Sequence, residues 1–158
     1  LSVITRAHFA RALMEAGYVS TMDQAFKKYL EHGRKYCPPK KTVPPAEAIR
    51  LSLDAGGFPA LAHPVQYKLG WEKTGRMIAG LKEMGLKGIE VYYSSLTQND
   101  SMRLREMCLR FRLLPTGGSD FHGSNKPDIS IGSGRGGLRI SRLLLDDIKK
   151  TLAKDAGN

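Results

Sequence analysis

Cysteine and tryptophan are scarce in this chain: Cys37, Cys108 and one tryptophan are all that 158 residues hold. Two thiols, one beside a proline pair and the other inside a helical pattern, build neither a disulfide framework nor a four-cysteine zinc site, so the fold must rest on its core. No apolar run approaches the roughly 20 residues that span a bilayer. No basic leader precedes a small-residue cleavage site. Helical membrane proteins and disulfide-stapled secreted domains are thereby set aside, and a soluble cytoplasmic protein is expected. Internal repeats and low-complexity tracts are missing too. The Gly-Ser-Gly-Arg-Gly-Gly run at 132–137 lacks the lysine and the spacing of a nucleotide-binding loop. Position 1 is leucine, not an initiator methionine, and an upstream segment is expected.

A hydrophobic content of 41% is enough for one modest core. The formal charge is +10, and residues 1–50 carry nine Lys+Arg against four Asp+Glu, so the first third is the more densely basic. Such a balance attracts polyanions. Solvated lysines also serve solubility alone, so a nucleic-acid partner is admitted without being required.

Apolar spacing predicts a helix from Thr5 to a stop at Gly17, and a second from Ser20 or Thr21 to Gly33. Together they form a helical hairpin with a basic outer face, residues 1–36. His32 reads as a cation near a helix end. Four prolines crowd residues 37–45, which excludes helix and central strand and marks a linker. Residues 46–158 then alternate: helix 46–54, strand 58–62, helix 72–84, strand 88–93, helix 99–111, strand 113–116 and helix 141–153. Alternation of this length predicts parallel βα units, an α/β fold that is either an open sheet or part of a barrel. In both, ligands collect at the loops that follow strands.

Two of the four histidines fall at such loops: His63 in Ala-Leu-Ala-His-Pro, and His122 in Gly-Gly-Ser-Asp-Phe-His-Gly. Imidazole nitrogen and carboxylate oxygen are donors that borderline and hard divalent cations accept, and Asp120 stands two residues before His122 in a glycine-rich loop. Pro64 stiffens the chain beyond His63. The competing reading makes each an ordinary polar residue capping backbone groups at a strand end. Glu90 lies between Ile89 and Val91, so its side chain is expected on the opposite face from theirs. It either orients a metal-bound histidine or sits as a salt-bridged interior carboxylate. In the hairpin, Arg6, His8 and Lys28 combine positive charge with a helix start, which suits phosphate; a solvated basic face is the alternative. Tyr67 and Trp71 either stack on a base or cover a hydrophobic edge.

Ala62-His63-Pro64, Gly88-Ile89-Glu90-Val91-Tyr92 and Gly118-Ser119-Asp120-Phe121-His122 resemble, in order and separation, the later motifs of the PHP (polymerase and histidinol phosphatase) family. The stretch from Val3 to Arg11, with Phe26-Lys27-Lys28-Tyr29-Leu30, resembles the helical insertion of PHP proteins that act on nucleotides and RNA ends. The resemblance implies the C-terminal part of a distorted (β/α)7 barrel with a small helical insertion subdomain. It implies a metal-dependent phosphoesterase working on nucleotides or RNA or DNA ends, with two or three divalent metals, manganese foremost and iron or zinc as alternatives. His63, Asp120 and His122 match family ligands; Glu90 would support them, and Arg6, His8 and Lys28 would hold the substrate phosphate. Bridged cations lower the pKa of bound water and neutralise phosphate oxygens, so no protein nucleophile is needed. The family's early His-x-His and Thr-Asp-His motifs are not in this chain, so the N-terminal part of the barrel is expected upstream. By itself the chain is expected to be inactive or weakly active. The rival from another class is a non-catalytic basic module that grips RNA or another polyanion.

Overall fold

A computed structural model describes residues 4–33, 36–37 and 42–157, in two compact units, 1–42 and 43–158. The first unit is a helical hairpin. Helix α1 spans Arg6–Glu15 and α2 spans Met22–Lys28. Thr5 caps α1 together with His8, whose Nδ1 accepts from the Thr5 amide at 3.0 Å, the role Glu or Gln takes in a capping box. The left-handed Gly17 closes it, and the Tyr18 amide donates back to the Leu13 carbonyl at 3.0 Å, as in a Schellman turn. Ala10 and Ala25 are fully buried between the helices with Val19 and Leu30, since small side chains let the two backbones approach. His32 lies beyond the last turn of α2, with Nδ1 at 3.8 Å from the Cys37 sulfur, so it caps no helix. Most of the expected proline linker, residues 38–41, falls outside the described residues, as do Val3 and Arg34.

The second unit carries α3 (Pro45–Asp54), β1 (Ala60–Leu61), α4 (Trp71–Glu83), β2 (Gly88–Tyr93), α5 (Gln98–Phe111), β3 (Leu114–Gly118) and α6 (Arg142–Ala156). Pro45 opens α3 rather than ending the linker, because the first helical position has no use for an amide hydrogen. The strands form a parallel sheet in the order β1-β2-β3, the mixed α/β arrangement that the alternation predicts. Its core gathers Ile49, Ile78, Leu86, Ile89, Val91, Leu104, Cys108 and Leu113. Burial pushes the Cys108 thiol up to about 11, where it behaves as a small hydrophobe.

Two strands differ from expectation for local reasons. The first shrinks to Ala60–Leu61, because Pro59 has no amide to give a ladder and offers only its carbonyl, to Lys87 N at 2.9 Å and Gly88 N at 3.2 Å. The third starts at Leu114, because the Leu113 amide closes α5 by bonding the Cys108 carbonyl at 2.9 Å. Beta2 keeps the expected bounds but is bulged: the register shifts between Glu90 and Tyr92, with Glu90 opposite Thr116 and Tyr92 opposite Gly117.

Candidate active site

That bulge decides which side chains meet. In a regular strand residues 90 and 93 point to opposite faces; one extra residue turns them to the same face. Ile89 and Val91 are fully buried in the core and Tyr92 packs against it. Glu90 and Tyr93 face the other way. The Glu90 carboxylate accepts from the backbone amide of His63 at 2.7 Å. The Tyr93 hydroxyl donates to Asp120 Oδ2 at 3.2 Å and accepts from Gln66 Nε2 at 2.5 Å. Gly118 leaves the room: a Cβ there would stand 2.9 Å from Glu90 Oε1.

His63 and Asp120 both hold left-handed backbone, at φ 32° and 56°. His63 precedes Pro64, which disfavours right-handed helical backbone and leaves extended backbone as the ordinary choice, so the left-handed turn is imposed by the surroundings. Such conformations cost of order 1 kcal/mol each and persist where the surroundings impose them. The His63 Nδ1 is buried and lacks a hydrogen-bond partner, and the ring lies 5.9 Å from that of Tyr93 and 6.4 Å from that of Tyr67, centroid to centroid. His122 is half exposed, and its Nδ1 meets the Asp120 carbonyl at 2.7 Å. A carbonyl only accepts, so Nδ1 carries the proton and the Nε2 lone pair is left for another ligand.

Asp120 sits at the centre. Lys126 is ion-paired to its Oδ2. Burial pushes the Asp120 pKa up, but the Lys126 hydrogen bond and charge, then Tyr93 and His122, outweigh it and hold the carboxyl below its ordinary value. Glu90 is shifted the other way: burial raises it above the ordinary value, against the His63 amide and ring, with Asp120 adding repulsion.

The three candidate ligands differ in their partners. Glu90 joins His63, and Tyr93, Lys126 and His122 join Asp120. Among the described residues, no group of three or more His, Cys, Asp or Glu is placed so that it could hold a metal ion. The donor types nevertheless suit a divalent cation, since an orphaned imidazole nitrogen follows β1, and an imidazole with a fixed tautomer and a carboxylate follow β3, on either side of β2. Glu90 bonds the backbone of His63, not its ring as a ligand-orienting role would have it. Arg6, His8 and Lys28 belong to the other unit, where each has local company. Arg6 donates to the Leu30 carbonyl at 3.1 Å and lies over Phe26, His8 caps α1, and Lys28 lies over Tyr29. Trp71 packs against the core beneath Arg103, and covers a hydrophobic edge. Tyr93 and Lys126 escaped the sequence reading: strict alternation turns Tyr93 away from Glu90, and nothing in the spacing pairs a lysine six residues on with Asp120.

No family model matches the chain. Its curated relatives are hydrolases of phosphate esters. The 5'-3' exoribonuclease Rnm of Escherichia coli is 34% identical over 119 residues, which is 75% of this chain and 41% of that protein. The 3',5'-nucleoside bisphosphate phosphatase of Chromobacterium violaceum is 32% identical over 130 residues, 82% of this chain and 46% of that protein. Among solved structures, a metal-dependent phosphoesterase from Bifidobacterium adolescentis superposes with a TM-score of 0.71 at 28% identity, covering 92% of this chain and 49% of that one. This chain therefore spans less than half the length of the curated relatives it matches. Among the described residues no helix is long and apolar enough to cross a membrane.

Proposed function

We propose that this chain is the C-terminal part of a PHP-family phosphoesterase, a barrel fragment at 46–158 with the helical insertion at 1–36, which hydrolyses phosphate esters of nucleotides or nucleic-acid ends. The observation that carries the reading is the Asp120 cluster at the carboxyl end of a parallel sheet, in a chain whose relatives hydrolyse phosphate esters. His63, Asp120 and His122 would share in holding divalent metal, manganese foremost. When bound, the metal supplies an activated water and neutralises phosphate oxygens.

The chain's own residues have distinct parts. Tyr93 and Lys126 fix the orientation of Asp120 from two sides, and Lys126 offsets its charge. Glu90 holds the His63 backbone in its left-handed turn and, with its raised pKa, keeps a proton more readily than an exposed glutamate. The Asp120 carbonyl sets the His122 tautomer. Arg6, His8 and Lys28 are the proposed phosphate contacts of the hairpin.

The test pairs manganese calorimetry with hydrolysis of a 5'-phosphorylated oligoribonucleotide. Asp120→Asn is expected to weaken both by more than about tenfold, since even an outer partner of a metal ligand contributes that much. Manganese binding that Asp120→Asn and His122→Ala leave unchanged, with no hydrolysis above background even from a version extended upstream, would overturn the reading.

A further inference from the structure

Two consecutive residues at the end of β2 reach the Asp120 loop by different routes. Tyr93 donates from its hydroxyl to the Asp120 side chain at 3.2 Å. Ser94, the first residue of the turn that follows, donates from its hydroxyl to the Ser119 carbonyl at 2.6 Å. The peptide that joins Ser119 to Asp120 is planar, so a bond to its carbonyl fixes the plane from which the Asp120 backbone departs. That departure is left-handed, at φ 56°, a conformation that a residue with a side chain holds only under constraint.

The Ser94 hydroxyl has a wall behind it. The glycine-rich run at 132–137 packs there, and a Cβ at Gly134 would fall 2.6 Å from Ser94 Oγ and 3.2 Å from Ser94 Cβ. Gly134 has no freedom to retreat, because its amide and its carbonyl both bond Ser130, at 3.0 and 2.8 Å. Arg135 ties the same loop to the turn after β2, pairing through Nε with Asp128 at 2.7 Å and donating from Nη1 to Ser95 Oγ at 2.7 Å. Glycine at 134 is therefore what lets the loop close on Ser94 without turning its hydroxyl away from Ser119. Gly132 is also left-handed, at φ 77°, but a Cβ there would meet nothing within 4 Å, so it serves only the course of the loop.

We propose that Ser94 is a positioning residue for Asp120, acting through the Ser119 carbonyl, and that the glycine-rich loop is the backstop that keeps its hydroxyl on that bond. Tyr93 and Lys126 orient the carboxylate, whereas Ser94 sets the backbone that carries it. The inference rests on the phosphoesterase reading for what Asp120 holds, and goes beyond it by giving a part to Ser94 and to Gly134.

Two measurements on the whole chain test it. In EDTA, the couplings between the α and β protons of Asp120, read by nuclear magnetic resonance, report whether its side chain keeps one rotamer. One rotamer is expected in the parent, and averaging in Ser94→Ala and in Gly134→Ala. Gly132→Ala also strains a left-handed backbone but brings no collision, so it should keep the parent's couplings. In manganese calorimetry, Ser94→Ala and Gly134→Ala should each weaken binding about three- to tenfold, the contribution of one hydrogen bond, while Gly132→Ala leaves it unchanged. In an Asp120→Asn background Ser94→Ala should lose no further affinity, whereas a general loosening of the fold would add its own loss. Parent couplings retained in Ser94→Ala or Gly134→Ala, an equal change in Gly132→Ala, or additive effects of Ser94→Ala and Asp120→Asn would each overturn the role of Ser94. Averaged couplings in variants of a chain that shows neither manganese binding nor hydrolysis, even when extended upstream, would leave the positioning intact and sink the phosphoesterase reading; manganese binding that falls for Asp120→Asn alone would do the reverse.

Discussion

Glu90 shows how one side chain can be placed correctly and still hold a surprise. Its direction, opposite to that of Ile89 and Val91, follows from the alternation, but its bond to the His63 amide and its raised pKa depend on burial that no local pattern reports. An acid whose folded pKa is raised binds its proton more tightly in the native state, so stability falls as pH climbs from the ordinary glutamate value through the folded one. Glu90→Gln mimics the protonated form and still offers an oxygen to His63. Its melting temperature should exceed the parent's at pH 7, and the gain should fade at about pH 3.5, below the ordinary glutamate range. A lower melting temperature at pH 7 would contradict the burial argument. The direction for Asp120 is opposite: its depressed pKa adds stability at neutral pH that is lost as pH falls through the folded value. Asp120, His122 and His63 were legible as candidates because a strand, a glycine-rich turn and two donor types coincide in sequence. The pairing of Asp120 with Tyr93 and Lys126 was not, since it needs the bulge and a long-range fold.

Helices and the central strand were readable from periodicity, with most ends shifting by a residue or so where a cap replaced a first turn, as at Ser141, which caps α6 through the Leu143 amide at 3.2 Å; α2 departs further, stopping at Lys28 short of the expected Gly33, and α6 runs on to Ala156. Strand ends were harder, because proline and helix-closing bonds decide them through partners distant in sequence. Gly88 is the clearest case. A glycine at the start of a strand weakens it in isolation, yet here a Cβ would lie 2.6 Å from Phe58 Cε1 and 3.1 Å from the Leu114 carbonyl. Both neighbours are part of the sheet or its cover. Gly88→Ala should therefore cost about 1–3 kcal/mol by overpacking, seen as a lower urea midpoint at an unchanged slope.

Across the whole molecule, the two cores are built from separate stretches of chain, Ala10 to Leu30 for one and Ile49 to Leu113 for the other. Residues 43–158 expressed alone should keep the cooperative thermal transition of that unit, followed by near-ultraviolet circular dichroism. A broad, non-cooperative melt would show that its core needs the hairpin. Among the described residues, the sheet of the second unit has an outer strand on each side of β2, and in this chain taken by itself each is blunted in its own way. Beta1 has two residues, while β3 carries Pro115, which has no amide hydrogen to offer. Restoring that donor with Pro115→Val would turn β3 into a template for another molecule. Light scattering that climbs with concentration in the variant, and stays flat in the parent, would mark this proline as a guard against aggregation.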